Sequence, residues 1–364
     1  MSEFFKKSPK RRSQEKKEEG IKKELVIEKE LIEDKRTPIR KYNYSYIREQ
    51  LEKKGVEVSL PTIIRRAKEL GYYRTEERQK AKHEREVISN YTGELIQHDS
   101  SHHLFAPLSQ EKYYLITSID DYSRYLIYAG LTKRESTVAH IKAVEQVFTM
   151  HGLPVAYYTD MHSIFHYIAA RDENLLHQKR HIGTGEIYTQ WGYVLKECNV
   201  ENIPAGSPQA KGKIERPYSW LQDHLTRTCY REKVTTIEQA KEVLKEEVRT
   251  YNYKRIHYVT GEIPAYRYEK ARRENSLWLK YEIPKPFVSN KDIFTIKHIR
   301  RADGYRTISL NTLKIKVNKV NPYDYVEIRI YVLNREISEL RFWREEELLD
   351  VQVFKNQDLK GLYF

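Results

Sequence analysis

Between residues 94 and 132 three runs alternate apolar and polar side chains with the period of a strand: ELIQHDSSHHLF, YYLITSIDDYSR and YLIYAGLT. A helical stretch follows, TVAHIKAVEQVFTMHG, closed by Gly152. The pattern then switches back and forth, with VAYYTD as a strand, QWGYVLKECN as a helix, NVENIP as a strand and KIERPYSWLQDHLTRTCYR as a long helix. Three strands followed by alternating helix and strand are reconciled by one architecture, a mixed five-stranded sheet with helices on its faces. Residues 90–272 are therefore expected to form an α/β domain. Asp99 and Asp160 each close one of its strands, at the sheet edge where open α/β sheets collect ligands.

The remainder of the 364 residues changes character on both sides of that domain. Residues 1–36 mix Lys, Arg and Glu with few apolar anchors, which predicts a charged, flexible arm or a lone solvated helix. Within 37–74, Tyr46, Ile47 and Leu51 make one short stripe ending at Gly55. Ser59 as N-cap and Pro61 in the first turn open a second, with Ile63, Ala67 and Leu70 facing inward and Gly71 ending it. Thr62, Arg65, Arg66, Lys68 and Glu69 are left outside. Such a pair is either a helix-turn-helix whose second helix enters a DNA major groove or an ordinary helical hairpin. Residues 75–89 and 273–290 read as linkers, and 291–356 as a small β-barrel with turns at Asp303-Gly304, Asn321-Pro322 and Asn334-Arg335.

Charge narrows the partner. Sixty-five Lys and Arg against 52 Asp and Glu leave +13, and a pI near 9.3, so a polyanion is expected. No apolar run is long enough to span a bilayer, and the first 24 residues carry no signal-peptide apolar region, which predicts a soluble, unexported protein. Cys198 and Cys229 have neither paired spacing nor ligand neighbours, and are expected to be reduced and buried.

Asp99, Asp160 and Glu215 are the candidate site. Carboxylates from two strand ends and a helix can converge on a pair of divalent cations, which is the equipment for cutting and joining phosphodiesters. Magnesium needs one or two protein carboxylates per ion, because it retains waters and takes phosphate oxygens; Mn²⁺ would fit almost as well. Glu215 lies in KGKIER among Lys211, Lys213 and Arg216, a basic setting for a carboxylate and for phosphates. Any single acidic residue is more often a solvated surface charge. Asp120 and Asp121 are read as turn residues, and His102, His103 and His162 as bystanders.

The segments HDSSHH, SIDDYSR, YTDMHSIF, TQWGYVLKECNV, SPQAKGKIER and YNYKRIH, taken in this order, resemble the catalytic core of DDE transposases and retroviral-type integrases. The likeness is greatest to the bacterial insertion-sequence branch known as the ISNCY group. That resemblance implies an RNase H-like core over 90–272, a helix-turn-helix over 37–74 and an SH3-like barrel over 291–356. It implies that Asp99, Asp160 and Glu215 bind two Mg²⁺ ions, that Thr62, Arg65, Arg66, Lys68, Lys211, Lys213 and Arg216 meet DNA, and that the enzyme nicks transposon ends. The freed 3′-hydroxyl would then attack target DNA by transesterification. Double-stranded DNA would be the partner, the protein a dimer or larger homo-oligomer on paired ends, and its place the bacterial cytoplasm beside the nucleoid, with no membrane. The competing readings are a non-catalytic DNA-binding derivative and an RNase H-type nuclease. Two departures stand out. A Lys/Glu-rich arm replaces the further N-terminal helix-turn-helix of relatives, and Pro217 requires the long helix to begin near Ile214 or to kink there.

Overall fold

A computed structural model describes residues 9–73, 89–166, 188–205 and 212–359, the side chains of 9–13 and 212–217 excepted. The chain divides into two compact units. One takes Met1–His83, His103–Lys112 and Ser219–Val243; the other takes Glu84–His102, Tyr113–Tyr218 and Leu244–Phe364.

In the first unit, helices α1 (Pro9–Glu33), α2 (Tyr44–Lys53) and α3 (Leu60–Glu69) share one core. Asn43 caps α2 by accepting from the Tyr46 N–H, and Ser59 caps α3 by accepting from that of Thr62. Gly55 and Gly71 follow the two helices at φ +70° and +76°, a left-handed turn that L side chains adopt only under strain. Ile47, Leu51, Ile63 and Ala67 are buried as expected, but Leu70 is 45% exposed. It sits at the C-cap, where the helical stripe has already ended.

The expected flexible arm is a correction. Residues 9–33 form α1, and Ile21 and Leu25 enter the core of α2 and α3. One turn further on, Glu28 is fully buried against Arg227, which also receives Asp223 at 2.9 Å. Glu24, likewise buried, pairs with Lys54 at 2.5 Å and Arg231 at 2.6 Å. The buried stripe of α1 thus mixes apolar Ile21, Leu25 and Leu31 with acidic Glu24 and Glu28, and its acids have cationic partners within the unit.

In the second unit, strands β1 (Leu95–His103), β2 (Tyr113–Asp120), β3 (Leu126–Thr132), β4 (Ala156–Thr159) and β5 (Glu201–Pro204) form one sheet in the order β3-β2-β1-β4-β5. β2 and β3 are antiparallel, whereas β4 runs parallel to both β1 and β5. The mixed five-stranded sheet read from the sequence is present. Helices α4 (Thr137–His151) and α5 (Gln190–Glu197) bury Val144, Phe148, Trp191 and Val194 with Ile96 and Tyr157 of the sheet. Gly152 ends α4 at φ +101°, and a Cβ there would stand 2.2 Å from the Leu279 carbonyl oxygen.

Beyond the sheet run α6 (Gly212–Arg231), α7 (Ile237–Tyr253) and α8 (Pro264–Glu274), and the division between units falls inside α6 and α7. α6 begins two residues before Ile214, so Pro217 is its sixth residue rather than a first-turn one. The stretch expected as a linker is pinned to the core: Leu279 bridges Leu153, and the Trp278 indole donates to Thr92 at 3.2 Å. After the short α9 (Asn290–Ile293), strands β6 (Ile296–Arg301), β9 (Tyr325–Val332), β10 (Ile337–Arg344) and β11 (Glu347–Lys355) form an antiparallel sheet. β7 (Thr307–Leu310) and β8 (Leu313–Lys316) pair separately. Among the described residues no helix is long and apolar enough to cross a membrane.

Two consequences for stability follow. Burial pushes the Glu28 carboxyl up to about 7 despite Arg227, so the charge is expensive unless paired. Glu28→Ala, which removes one of the two carboxylates on the buried Arg227 guanidinium and leaves Asp223 as its partner, is expected to cost about 1–3 kcal/mol in urea denaturation; no measurable loss would contradict the pairing. His151, whose Nδ1 lies 2.9 Å from the Tyr268 hydroxyl, is held down to about 4 by burial and then by Arg272. The unfolded chain therefore takes up this proton first as the pH falls, and stability is lost between about pH 6.5 and 4. His151→Gln should show a smaller fall in Tm across that window.

Candidate active site

Three residues of β1 pair with the β4 residues 61 positions later, Leu95↔Ala156, Ile96↔Tyr157 and Gln97↔Tyr158. The same offset carried two residues further sets Asp160 beside Asp99. Because side chains alternate along a strand, Asp99 shares a face with Leu95 and Gln97, and position 160 shares the matching face with Ala156 and Tyr158. Both acids are half-buried, where the burial of each strand gives out toward its carboxyl end. Asp99 Oδ1 accepts from the Ser100 N–H at 2.9 Å, and Asp160 Oδ1 from the His162 N–H at 3.0 Å.

Glu215 lies in α6, and its side chain is outside the described residues, as are those of Lys213 and Arg216; Lys211 lies wholly outside them. Tyr218, one turn further along α6, is buried. Its hydroxyl is pushed well above its ordinary pKa by burial and by the negative charge of Asp99. Among the described residues no group of three or more His, Cys, Asp or Glu side chains could hold a metal ion. The donor set that is described, two carboxylates from neighbouring strand ends, has the oxygen chemistry that suits Mg²⁺ or Mn²⁺.

The neighbouring acids are committed elsewhere. Asp120 is fully buried and accepts from the N–H groups of Gly93 and Ser123, both at 2.8 Å. Asp121 accepts from Gln97 at 2.6 Å and Arg124 at 2.9 Å. Gln97 precedes Asp99 on the same face, so Asp121 steadies the acid-bearing strand. His102 stacks on Tyr114 with ring centroids 4.2 Å apart, and His103 leans on Phe105.

Sequence reasoning passed over Glu135, His98 and His140. The Ser100 hydroxyl donates to Glu135 Oε1, and His140 Nε2 lies 3.2 Å from the same oxygen. His140 Nδ1 and His98 Nε2 are 2.8 Å apart, and His98 Nδ1 is 2.8 Å from Ser118 Oγ. The Glu135 carboxyl is held below its ordinary pKa, chiefly by the His140 hydrogen bond. No local spacing announces this group; only the adjacency of His98 and Ser100 to Asp99 offers a hint.

In α3, Arg65 is exposed, whereas Arg66 is engaged with Glu18 and, at 2.6 Å, with Glu69. Lys68 lies over the Tyr73 ring at 4.6 Å, and Thr62 shares a 2.8 Å hydrogen bond with the capping Ser59 hydroxyl.

No protein-family model matches the chain. It is 29% identical over 198 residues to y4bF of Sinorhizobium fredii (strain NBRC 101917 / NGR234), named as a transposase, a match covering 54% of this chain and 41% of that protein. It is 32% identical over 163 residues to the transposase for insertion sequence IS1202 of Streptococcus pneumoniae, covering 44% of this chain and 33% of that protein. The chain thus matches less than half the length of these curated relatives. Among solved structures, it is similar to the HTLV-2 integrase catalytic core domain in complex with magnesium, at 15% identity and a TM-score of 0.37, over 50% of this chain and 99% of that one. A simian T-cell lymphotropic virus intasome chain, solved in complex with PP2A regulatory subunit B56 gamma, is similar at 12% identity and a TM-score of 0.38, over 84% of this chain and 95% of that one.

Proposed function

We propose that the chain is a DNA transposase of the DDE type, cutting at the ends of an insertion sequence and joining them to target DNA by transesterification. In this reading the mixed sheet is an RNase H-like core, residues 37–74 are a helix-turn-helix and residues 291–356 an SH3-like barrel. Asp99, Asp160 and Glu215 would hold two Mg²⁺ ions, with Mn²⁺ as a substitute. Duplex DNA would be the partner, and a homo-oligomer on paired ends the working form.

The observation that carries the proposal is the β1–β4 register. Carried two residues past the paired stretch, its offset would bring position 160 alongside Asp99 at the carboxyl ends of parallel strands, on one face. Transposase names among the sequence relatives point the same way. So does Tyr218, which follows Glu215 by one helical turn and feels the charge of Asp99. When bound, divalent ions would supply an activated attacking oxygen and neutralise charge on the scissile phosphate. The chain's own part is to present carboxylate oxygens from two strands and a helix, with Gln97 and Asp121 restraining β1 behind them.

Asp160→Asn is expected to reduce Mg²⁺-dependent nicking of a supercoiled plasmid carrying the element ends by about a thousandfold or more, since a weakened hold on a divalent ion would forfeit the several kcal/mol of transition-state charge stabilisation the ion would supply. Binding to the ends should stay within about threefold, because the basic surface is retained. Undiminished nicking by this variant would end the assignment. For the proposed recognition helix, Arg65→Ala should weaken end binding by about 1–3 kcal/mol. Arg66→Ala should weaken it less, because Arg66 already pairs with Glu18 and Glu69. Gel-shift titrations at several salt concentrations measure both, and equal losses would count against the reading of α3.

A further inference from the structure

The two residues flanking Asp99 lead to the same carboxylate oxygen. Ser100 donates its hydroxyl to Glu135 Oε1 directly. His98 reaches that oxygen through His140, by contacts of 2.8 and 3.2 Å. The backbone from 98 to 100 closes the loop, so the ring runs His98, His140, Glu135, Ser100 and back through Asp99.

Hydrogen-bond directions in this ring follow from its members. The Glu135 carboxylate can only accept, so His140 donates from Nε2, and in a neutral imidazole its Nδ1 is then the acceptor. His98 then donates from Nε2 and accepts at Nδ1 from the Ser118 hydroxyl, 2.8 Å away. In that arrangement every bond points one way and ends on Glu135, and each imidazole uses one nitrogen as donor and the other as acceptor. The surroundings hold the arrangement. His98 and His140 are fully buried, the Glu135 side chain is 20% exposed, and the His98 ring lies nearly parallel to Trp191 at 5.7 Å. Strand alternation turns His98 and Ser100 toward the α4 face of the sheet while Asp99 faces the other way. The ring thus grips the residues on either side of the acid from the opposite face of the sheet.

We infer that Glu135 is a positioning residue for Asp99: with His98, His140 and Ser100 it forms a hydrogen-bonded clamp that fixes the backbone at the end of β1 and so the direction of the Asp99 carboxylate. The effect on catalysis rests on the transposase reading given above; the clamp on the backbone does not. Both bonds of the ring go to the one oxygen Oε1, which a glutamine amide also possesses. Charge at position 135 is therefore dispensable for the clamp, and an acceptor oxygen is indispensable. A metal-holding role for Glu135 makes the opposite demand, since glutamine lacks the charge.

The test compares Glu135→Ala with Glu135→Gln in the full chain, by amide hydrogen exchange at residues 98–101 and by Mg²⁺-dependent nicking of element ends. Glu135→Ala should speed exchange about three- to tenfold and slow nicking by about 10- to 100-fold, with end binding unchanged. Glu135→Gln should stay within about threefold of the parent in both. If Glu135→Gln falls as far as Glu135→Ala, or if Glu135→Ala leaves exchange unaltered, the clamp is overturned. Should Glu135→Ala fail to fold, Ser100→Ala opens the same ring from its other arm, and the same rise in exchange is expected; no rise would equally overturn it. If the parent itself does not nick, the transposase reading fails while the exchange measurements still decide the clamp.

Discussion

The parallel pairing of β1 with β4 is the constraint on which the site depends. Parallel neighbours finish at the same edge of a sheet, so side chains at their carboxyl ends meet without any long loop to carry them. Register decides which face they meet on, because a slip of one residue turns every side chain of a strand over. Here both faces resist a slip. Ile96 and Tyr157 are buried against α4 and α5, while Leu95, Ala156 and Tyr158 pack together on the opposite side with Ala205. Backbone bonds from Val155 to Gly93 and from Ala156 to Glu94, at 2.8 and 3.2 Å, extend the same alignment toward the start of the strands. The position of two acids is therefore set by apolar packing several residues behind them.

Polar restraint takes over where that packing ends. Between Gln97 and Ser100 the strand passes from full burial to half-burial, and Gln97, His98 and Ser100 each have a side-chain partner on another strand, helix or turn. Gln97 is tied to Asp121, His98 to Ser118 and His140, and Ser100 to Glu135. An acid used to bind a ligand cannot also be held rigid by strong bonds of its own without competing with that ligand. Restraining its neighbours fixes the backbone on either side of the acid, and the Asp99 carboxylate itself accepts from the Ser100 N–H at 2.9 Å. Asp120 and Asp121 resemble the site acids in sequence, yet their oxygens are engaged by Gly93 and Ser123 and by Gln97 and Arg124 respectively.

Periodicity made most of the sheet legible, because alternation in β1 to β3 and the 3.6-residue stripe of α4 are local signals. The spacing of Asp99 and Asp160 was equally visible, but nothing local equates it with the pairing offset of two strands; that takes the α4 crossover and both packed faces. The same limit explains α1. Its Lys and Glu content reads as solvated, yet Glu24 and Glu28 are buried because Arg231 and Arg227, some two hundred positions away, meet them. Long-range ion pairs leave no periodic trace. Leu70 failed for a smaller reason, a helix that ended one residue too soon to keep it on the stripe. Glu135, in the exposed-looking KRESTV, could be recognised only once β1 and α4 were side by side.

The C-terminal strands show the same division between packing and direction. Ile293 and Phe294 join the apolar cluster under α4 and α5, which supplies attraction but little orientation. Orientation comes from Arg329, whose guanidinium lies over Phe287 at 4.0 Å and grips both oxygens of Glu197, at 2.7 and 3.2 Å. Glu197 ends α5, so one side chain of β9 is keyed to one turn of a core helix. Asp292 completes the joint by capping α9 while accepting from the Trp343 indole at 3.0 Å and from Arg341. Buried pairs of this kind add little net stability, because desolvation offsets most of their attraction. Their planar, bidentate geometry tolerates one approach and rejects others, so in this unit apolar contact brings the β-strands to α5 and the guanidinium groups determine the angle at which they rest.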